Sequence, residues 1–351
     1  MSDLSPHTTR HPDGPLAIVC LAGDPTLVDS TAGDAREAQR AAQRSAKAVA
    51  TLVREGFRVV VVPAGATAID RELIRNEETS TKLPPSTMSE AAAVAQGAVG
   101  VRLEAALRNA LKQEGLERQV ATLVTPILVS GDDPAFSSPT RAVGPWLSAW
   151  RAKEVTRARS VHMVEEAGKG WRRVVAVPVP VECLGLTATE ALIDAGHVVL
   201  TAAGGGVPVT IDARAQMSDT EALLDEVQVA TLLANELAAS VLILMHATEH
   251  LSSHAGLVQQ ANVEQVTRHQ LRALSDADAF EDPAASTCVA ASLDFLDAGG
   301  ELVIVTAAQK LTAALAGRAG TRVTREIVTE DTQQISLFGA QGAEAQTHED
   351  A

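Results

Sequence analysis

The sequence predicts an α/β protein, a three-layer α/β/α sandwich around a mainly parallel sheet. Three observations carry that prediction. Short β-branched runs recur along the chain almost without polar alternation, as strands buried on both faces do. Amphipathic stretches of helical period lie between them, several closed by a glycine. The 351 residues, 46% of them hydrophobic, suffice to bury one large core or two smaller ones.

The strand candidates are residues 16–21 (LAIVCL), 57–62 (FRVVVV), 120–129 (VATLVTPILV), 197–202 (HVVLTA), 241–245 (VLILM) and 302–306 (LVIVT). In the helical stretch REAQRAAQRSAKAVATLVREG, Ala42, Val49, Leu52 and Val53 share one face and Gly56 takes the C-cap position. A second helix begins near Ser89, repeats Leu103, Leu107 and Leu111, and closes at Gly115. Strand, helix and strand at this spacing imply right-handed crossovers. Residues 130–182 break the rhythm with five prolines, short β-like pieces and Trp146, Trp150 and Trp171, which are expected to anchor a hairpin-bearing lobe or lid. Residues 1–14 and 335–351 read as flexible tails on a domain spanning 15–330.

Composition narrows the function. A net charge of −15 argues against nucleic-acid and membrane-surface partners and for small molecules or other proteins. Met1 to Pro15 has no apolar core, and no apolar run approaches the length of a membrane span, so a cytoplasmic protein is expected. Cys20, Cys183 and Cys288 lie far apart, which suggests buried free thiols and neither a disulfide framework nor a metal site.

Six strings stand in one colinear order: AQGAVGVRLEAALRNAL (95–111), VATLVTPILVSGDDPAFSSPTRAVGPW (120–146), GKGWRRVV (168–175), AAGGGVPV (202–209), FLDAGGELVIVTAAQKL (295–311) and GRAGTRV (317–323). In that order the chain resembles the carbamate kinases of the amino-acid kinase superfamily over about residues 16–325. The resemblance implies a mainly parallel sheet of about eight strands between helix layers, a small subdomain protruding over the active site at 130–182, and a homodimer. It also implies reversible transfer of the γ-phosphoryl group of ATP to carbamate, with ATP and Mg²⁺ as cofactors if that activity persists.

Phosphoryl transfer relies on cations and backbone amides that hold the oxygens in line. By family position, the nucleotide- and phosphate-binding candidates are Gly23, Gly204, Gly205, Gly206, Asp225, His246 and Thr248. Other family positions are altered. Ala22, Gly23 and Asp24 stand for a Gly-Gly-Asn turn, and Pro63 to Ala68 replace a polar substrate loop, with Thr67 its remaining hydrogen-bonding side chain. Ser137 and Arg141 occupy the places of lysines flanking the family's Asn-Pro-Thr segment. Asp225, Glu226 and Val227 match an Asp-Lys-Asp triplet, reversing the charge at its centre, and Thr287 and Cys288 match a Pro-Lys pair. Each lost cation removes roughly 2.7–4 kcal/mol of transition-state stabilisation on the scale of one oxyanion donor. Arg141 is the candidate catalytic cation, with Arg172 and Arg173 as further replacements from the same excursion.

Two functions follow from this pattern. One is a binding or regulatory subunit in carbamoyl phosphate or nitrogen metabolism, homodimeric or paired with an active relative. The alternative is an active phosphotransferase, ATP plus carbamate to ADP plus carbamoyl phosphate, using non-standard residues.

Plainer readings stand beside the sharp ones. HATEH (246–250) matches the H-x-x-E-H zinc pattern but follows a strand end without an amphipathic helix, and reads as polar loop. Cys288 is a candidate nucleophile or a small buried helix residue. Gly204 to Gly206 either cradle a phosphate or turn the chain. Gln96 retains a family string, and close helix packing, within the chain or across a dimer, accounts for Gly97 and Gly100.

Overall fold

The computed structural model describes residues 14–22, 35–159, 161–246, 249–254 and 261–325. The expected tails, apart from Gly14, and the candidates Gly23, Asp24 and Thr248 lie outside the described residues.

With strands and helices numbered in chain order, the main sheet has eight strands, in spatial order β15 (Gln265–Thr267), β17 (Thr321–Thr324), β16 (Leu302–Thr306), β12 (Val241–Met245), β1 (Leu16–Leu21), β2 (Arg58–Pro63), β9 (Val198–Leu200) and β3 (Val120–Thr122). All neighbours are parallel except β16 and β17. β1 and β12 are buried at every residue, as strands covered on both faces must be.

Alternation along these strands sorts their side chains into two cores. Ala17, Val19, Val59, Val61 and Ile243 face α1 (Ala35–Arg54), α3 (Met88–Gln113) and α9 (Leu311–Leu315). Ile18, Cys20, Val60, Leu242 and Val303 face α5 (Leu186–Asp194), α6 (Glu226–Glu236), α7 (Arg268–Asp276) and α8 (Pro283–Asp297). The predicted sandwich is therefore present. Thr87 and Glu90 start α3 with a reciprocal capping box, and Gly56 and Gly115, both at positive φ, follow the ends of α1 and α3.

Residues 120–129 are not one strand. The chain breaks at Leu123–Thr125, and β4 (Pro126–Val129) joins a second sheet ordered β11 (Met217–Asp219), β10 (Val207–Ile211), β4, β8 (Pro180–Cys183). At the break the Thr125 amide donates to Gln96 Oε1 of α3 at 3.1 Å, a long-range bond that no local period announces. β13 (Leu251–Ser253) and β14 (Ala261–Val263) form a short antiparallel pair.

Inside the excursion, β5 (Arg141–Leu147), β7 (Gly170–Val175) and β6 (His162–Glu166) form an antiparallel sheet carrying α4 (Ala149–Arg159). This lobe meets α2 (Ala66–Thr79) in a third apolar cluster, where Val143 and Val175 join Ile69 and Leu73. Trp150 does not anchor the lobe: it is 69% exposed, because it opens α4 on the solvent side. Trp146 is also exposed and lies under the Arg172 guanidinium at 5.4 Å, a contact made at the surface.

Candidate functional site

The chain turns after β2 and after β9 meet. An ideal Cβ on Gly65 would lie 2.7 Å from the Gly204 Cα, so side chains are excluded on both sides. Ala202 is left-handed at φ 50°, and Gly204, Gly205 and Gly206 follow at 68°, 90° and 87°. A Cβ on Gly205 would sit 2.8 Å from the Leu224 carbonyl oxygen, and one on Gly206 2.9 Å from that of Thr125. Packing and backbone sign alone thus require these glycines.

The amides of Gly205, Gly206 and Val207 are engaged within the chain. Gly205 N donates to Ala202 O at 2.9 Å, Gly206 N to Ala203 O at 3.4 Å and Val207 N to Thr125 O at 2.9 Å. Beneath the turn, the Thr125 and Thr201 hydroxyls share a hydrogen bond, and Gln96 reaches the same segment through Thr125.

Opposite the turn, α6 begins. Asp225 is its N-cap, and one oxygen, Oδ1, accepts from Val227 N at 2.9 Å and Gln228 N at 3.1 Å. The free amides of a helix start, which commonly hold an anion, are thereby taken by the chain's own carboxylate. Glu226 is next, and burial pushes its carboxyl up to about 7; Asp225 pushes the same way, while a hydrogen bond from its own amide and the Arg141 charge pull it back.

A shallow cleft lies between these pieces, lined by Ala66, Ile69, Arg141, Gly204, Leu224 and Asp225 among others. The structure therefore gathers Arg141, Gly204 and Asp225, with Glu226 close by. Among the described residues, no carboxylate lies within ion-pair distance of Arg141.

The other sequence candidates lie elsewhere. Arg172 donates to Asp70 Oδ2 at 2.7 Å and to the Gly144 carbonyl at 2.8 Å, and Arg173 pairs with Glu221, so neither replaces a missing lysine. Ser137 is exposed, at the end of the one-turn helix Pro134–Phe136. Ala22 is half-buried just past β1.

Cys288 is 1% exposed, and burial, with Asp225 and Asp282, drives its thiol up to about 12. That is a core residue and no nucleophile. Cys20, its thiol also raised by burial, donates to the Glu226 carbonyl at 3.5 Å.

His246 follows β12, its amide held by Thr306 O at 2.9 Å, and burial lowers its imidazole pKa against the opposing charge of Asp282. His246 and His250 stand on no helix, which removes the geometry of the zinc pattern, and among the described residues no cluster of three metal-ligating side chains occurs.

Sequence reasoning missed Gln96 and Asp70 as the polar residues that organise this region. Both act through long-range bonds, and neither has a local signature.

A mainly parallel eight-stranded sheet between helix layers, with a glycine turn facing a capped helix start, is the amino-acid kinase fold. Carbamate kinase from Giardia lamblia bound to AMP-PNP superposes with a TM-score of 0.85 at 24% identity, covering 90% of this chain and all of that one. No protein-family model matches the chain. Among curated proteins, the chain is 30% identical to carbamate kinase of Lentilactobacillus hilgardii over 88% of its length and 97% of that protein's. It is 32% identical to the carbamate kinase-like protein YqeA of Escherichia coli (strain K12) over 75% of its length and 82% of that protein's. The chain belongs to the carbamate kinase family. Among the described residues, no helix is long and apolar enough to cross a membrane.

Proposed function

We propose that this protein is a carbamate kinase homologue whose cleft does not transfer phosphoryl groups in the family manner, and that it acts in the cytoplasm as a binding or regulatory subunit of carbamoyl phosphate or nitrogen metabolism. One observation carries the reading: the α6 start that faces the glycine turn holds Asp225 and Glu226, with Asp225 occupying its amides. ATP and Mg²⁺ fit such a donor set poorly, because polyphosphate needs free amides and several cations, and among the described residues Arg141 is the one cation lining the cleft. In this reading residues 15–330 are one domain and the excursion at 130–182 is its protruding subdomain.

The partner is a second copy or an active relative. An exposed apolar stripe on α3 supports this: Val94 is 52% and Val101 66% exposed, with Gly97 and Ala98 exposed between them. The spacing puts these residues on one face, and Gly97 has no atom within 4 Å of a built Cβ, which leaves room for close approach by another chain.

A second reading has its own observation. Arg141 lies in the cleft without an ion-pair partner among the described residues, placed to neutralise one phosphoryl group, and a structural neighbour binds AMP-PNP. The two readings separate when the purified protein is given ATP, Mg²⁺ and carbamate, or ADP and carbamoyl phosphate. Binding or regulation predicts no carbamate-dependent ADP and no ATP in reverse; turnover abolished by Arg141→Ala would overturn it.

A further inference from the structure

A second cleft opens between α2 and the lobe. Leu73, Val143, Val155 and Met163 make its apolar wall, and Glu77, Arg159 and Arg173 are its charged residues. It is separate from the cleft at Arg141, and nothing in the kinase reading uses it.

The charged groups are unevenly satisfied. The Glu77 carboxylate is fully committed: Arg151 donates from Nε at 3.0 Å and from Nη2 at 2.7 Å, and Arg159 donates from Nη1 at 3.1 Å. Arg173 gives Nη2 to Glu221, but its Nε is buried with no hydrogen-bond partner among the described residues. Burial and the charge of Arg159 both disfavour the Arg173 cation, with Glu77 partly offsetting them. Buried polar donors are normally paired, so an orphaned guanidinium N–H beside a second guanidinium marks a place for an acceptor with negative charge. The apolar wall adds a shape requirement that a bare inorganic anion does not meet.

We propose that this cleft binds a small aliphatic monocarboxylate, its carboxylate accepting from Arg173 and facing Arg159, its branched hydrocarbon against Leu73, Val143 and Val155. Helix α2 borders both clefts. Asp70, one turn from Leu73, holds both the Gly144 amide and Arg172, while Ala66 and Ile69 of the same helix line the cleft at Arg141.

Calorimetry and thermal unfolding of the full chain test this with 3-methylbutanoate as the probe, 3-methylbutanamide as its uncharged match and inorganic phosphate as the bare anion. The expected result is heat and a raised unfolding midpoint with 3-methylbutanoate alone. Arg173→Gln weakens binding about tenfold or more. Arg159→Gln, which leaves Glu77 both bonds from Arg151, weakens it several-fold, and Val155→Phe, which fills the cleft, abolishes it. The proposal is overturned if the carboxylate gives no response at about 10 mM, if the amide or phosphate matches it, or if Arg159→Gln and Val155→Phe bind as the natural sequence does. Those two variants decide the matter even where Arg173→Gln does not fold.

Discussion

Asp70 on α2 and Arg172 on β7 meet at 2.7 Å across the join between body and lobe, and the second Asp70 oxygen accepts from the Gly144 amide at 2.9 Å. Both side chains are partly exposed, so solvent screens the pair, but two groups depend on one carboxylate. Asp70→Ala is expected to cost roughly 1–2 kcal/mol. Its mark is local: amide exchange rises across β5 to β7 while β1, β2 and β12 keep their protection. Unchanged exchange in the lobe would mean that the apolar cluster alone holds it.

The glycine turn separates two kinds of glycine. Gly205→Ala and Gly206→Ala place a Cβ into backbone at positive φ, each expected to cost above about 2 kcal/mol. Gly97→Ala meets open space in a helix and is expected to stabilise the monomer by roughly 0.5–1 kcal/mol. Denaturant midpoints of the three variants compare them directly.

Glu226 makes stability depend on pH. Its folded carboxyl titrates at about 7, above the ordinary 4.5, so the folded state retains a proton that the unfolded chain releases. The contribution is present below pH 4.5 and is lost as pH rises through 7. Glu226→Gln is therefore expected to be the more stable protein at pH 8, by roughly 3 kcal/mol at most, with the gap closing near pH 5. A gap that is constant with pH would place the carboxyl in its ordinary range.

Charge reversal at the same position tests the site. Glu226→Lys puts a cation beside the glycine turn, and the expected result is tighter binding of ADP by about tenfold or more. Equal ADP affinity in both proteins, measured by calorimetry, would show that the engaged amides, and not the missing charge, limit the cleft.

For the exposed face of α3, Val101→Asp is expected to convert a dimer to a monomer in light scattering without lowering the unfolding midpoint of the monomer. A mass independent of this change would move the interface elsewhere.

The layers of the fold were legible because β1, β12 and β16 are apolar at nearly every position and the helices between strands keep their period. The break at Leu123–Thr125 was not, although Pro126 follows it directly, because the run is apolar on both sides and the bond that holds the Thr125 amide comes from Gln96, 29 residues earlier. At the site, motif order pointed to Gly204, Asp225 and Arg141 as neighbours. Arg172 and Arg173 looked equally available as charges in sequence, and only folding gives them Asp70 and Glu221.

The turn from Ala202 to Gly206 is packed against Gly65, Leu224, Ile127 and Thr125, which leave no room for a Cβ on Gly204, Gly205 or Gly206. A change there removes folded protein before any question of turnover arises. These glycines therefore persist under selection for abundance alone, and a lineage can abandon phosphoryl chemistry while its most kinase-like string stays intact.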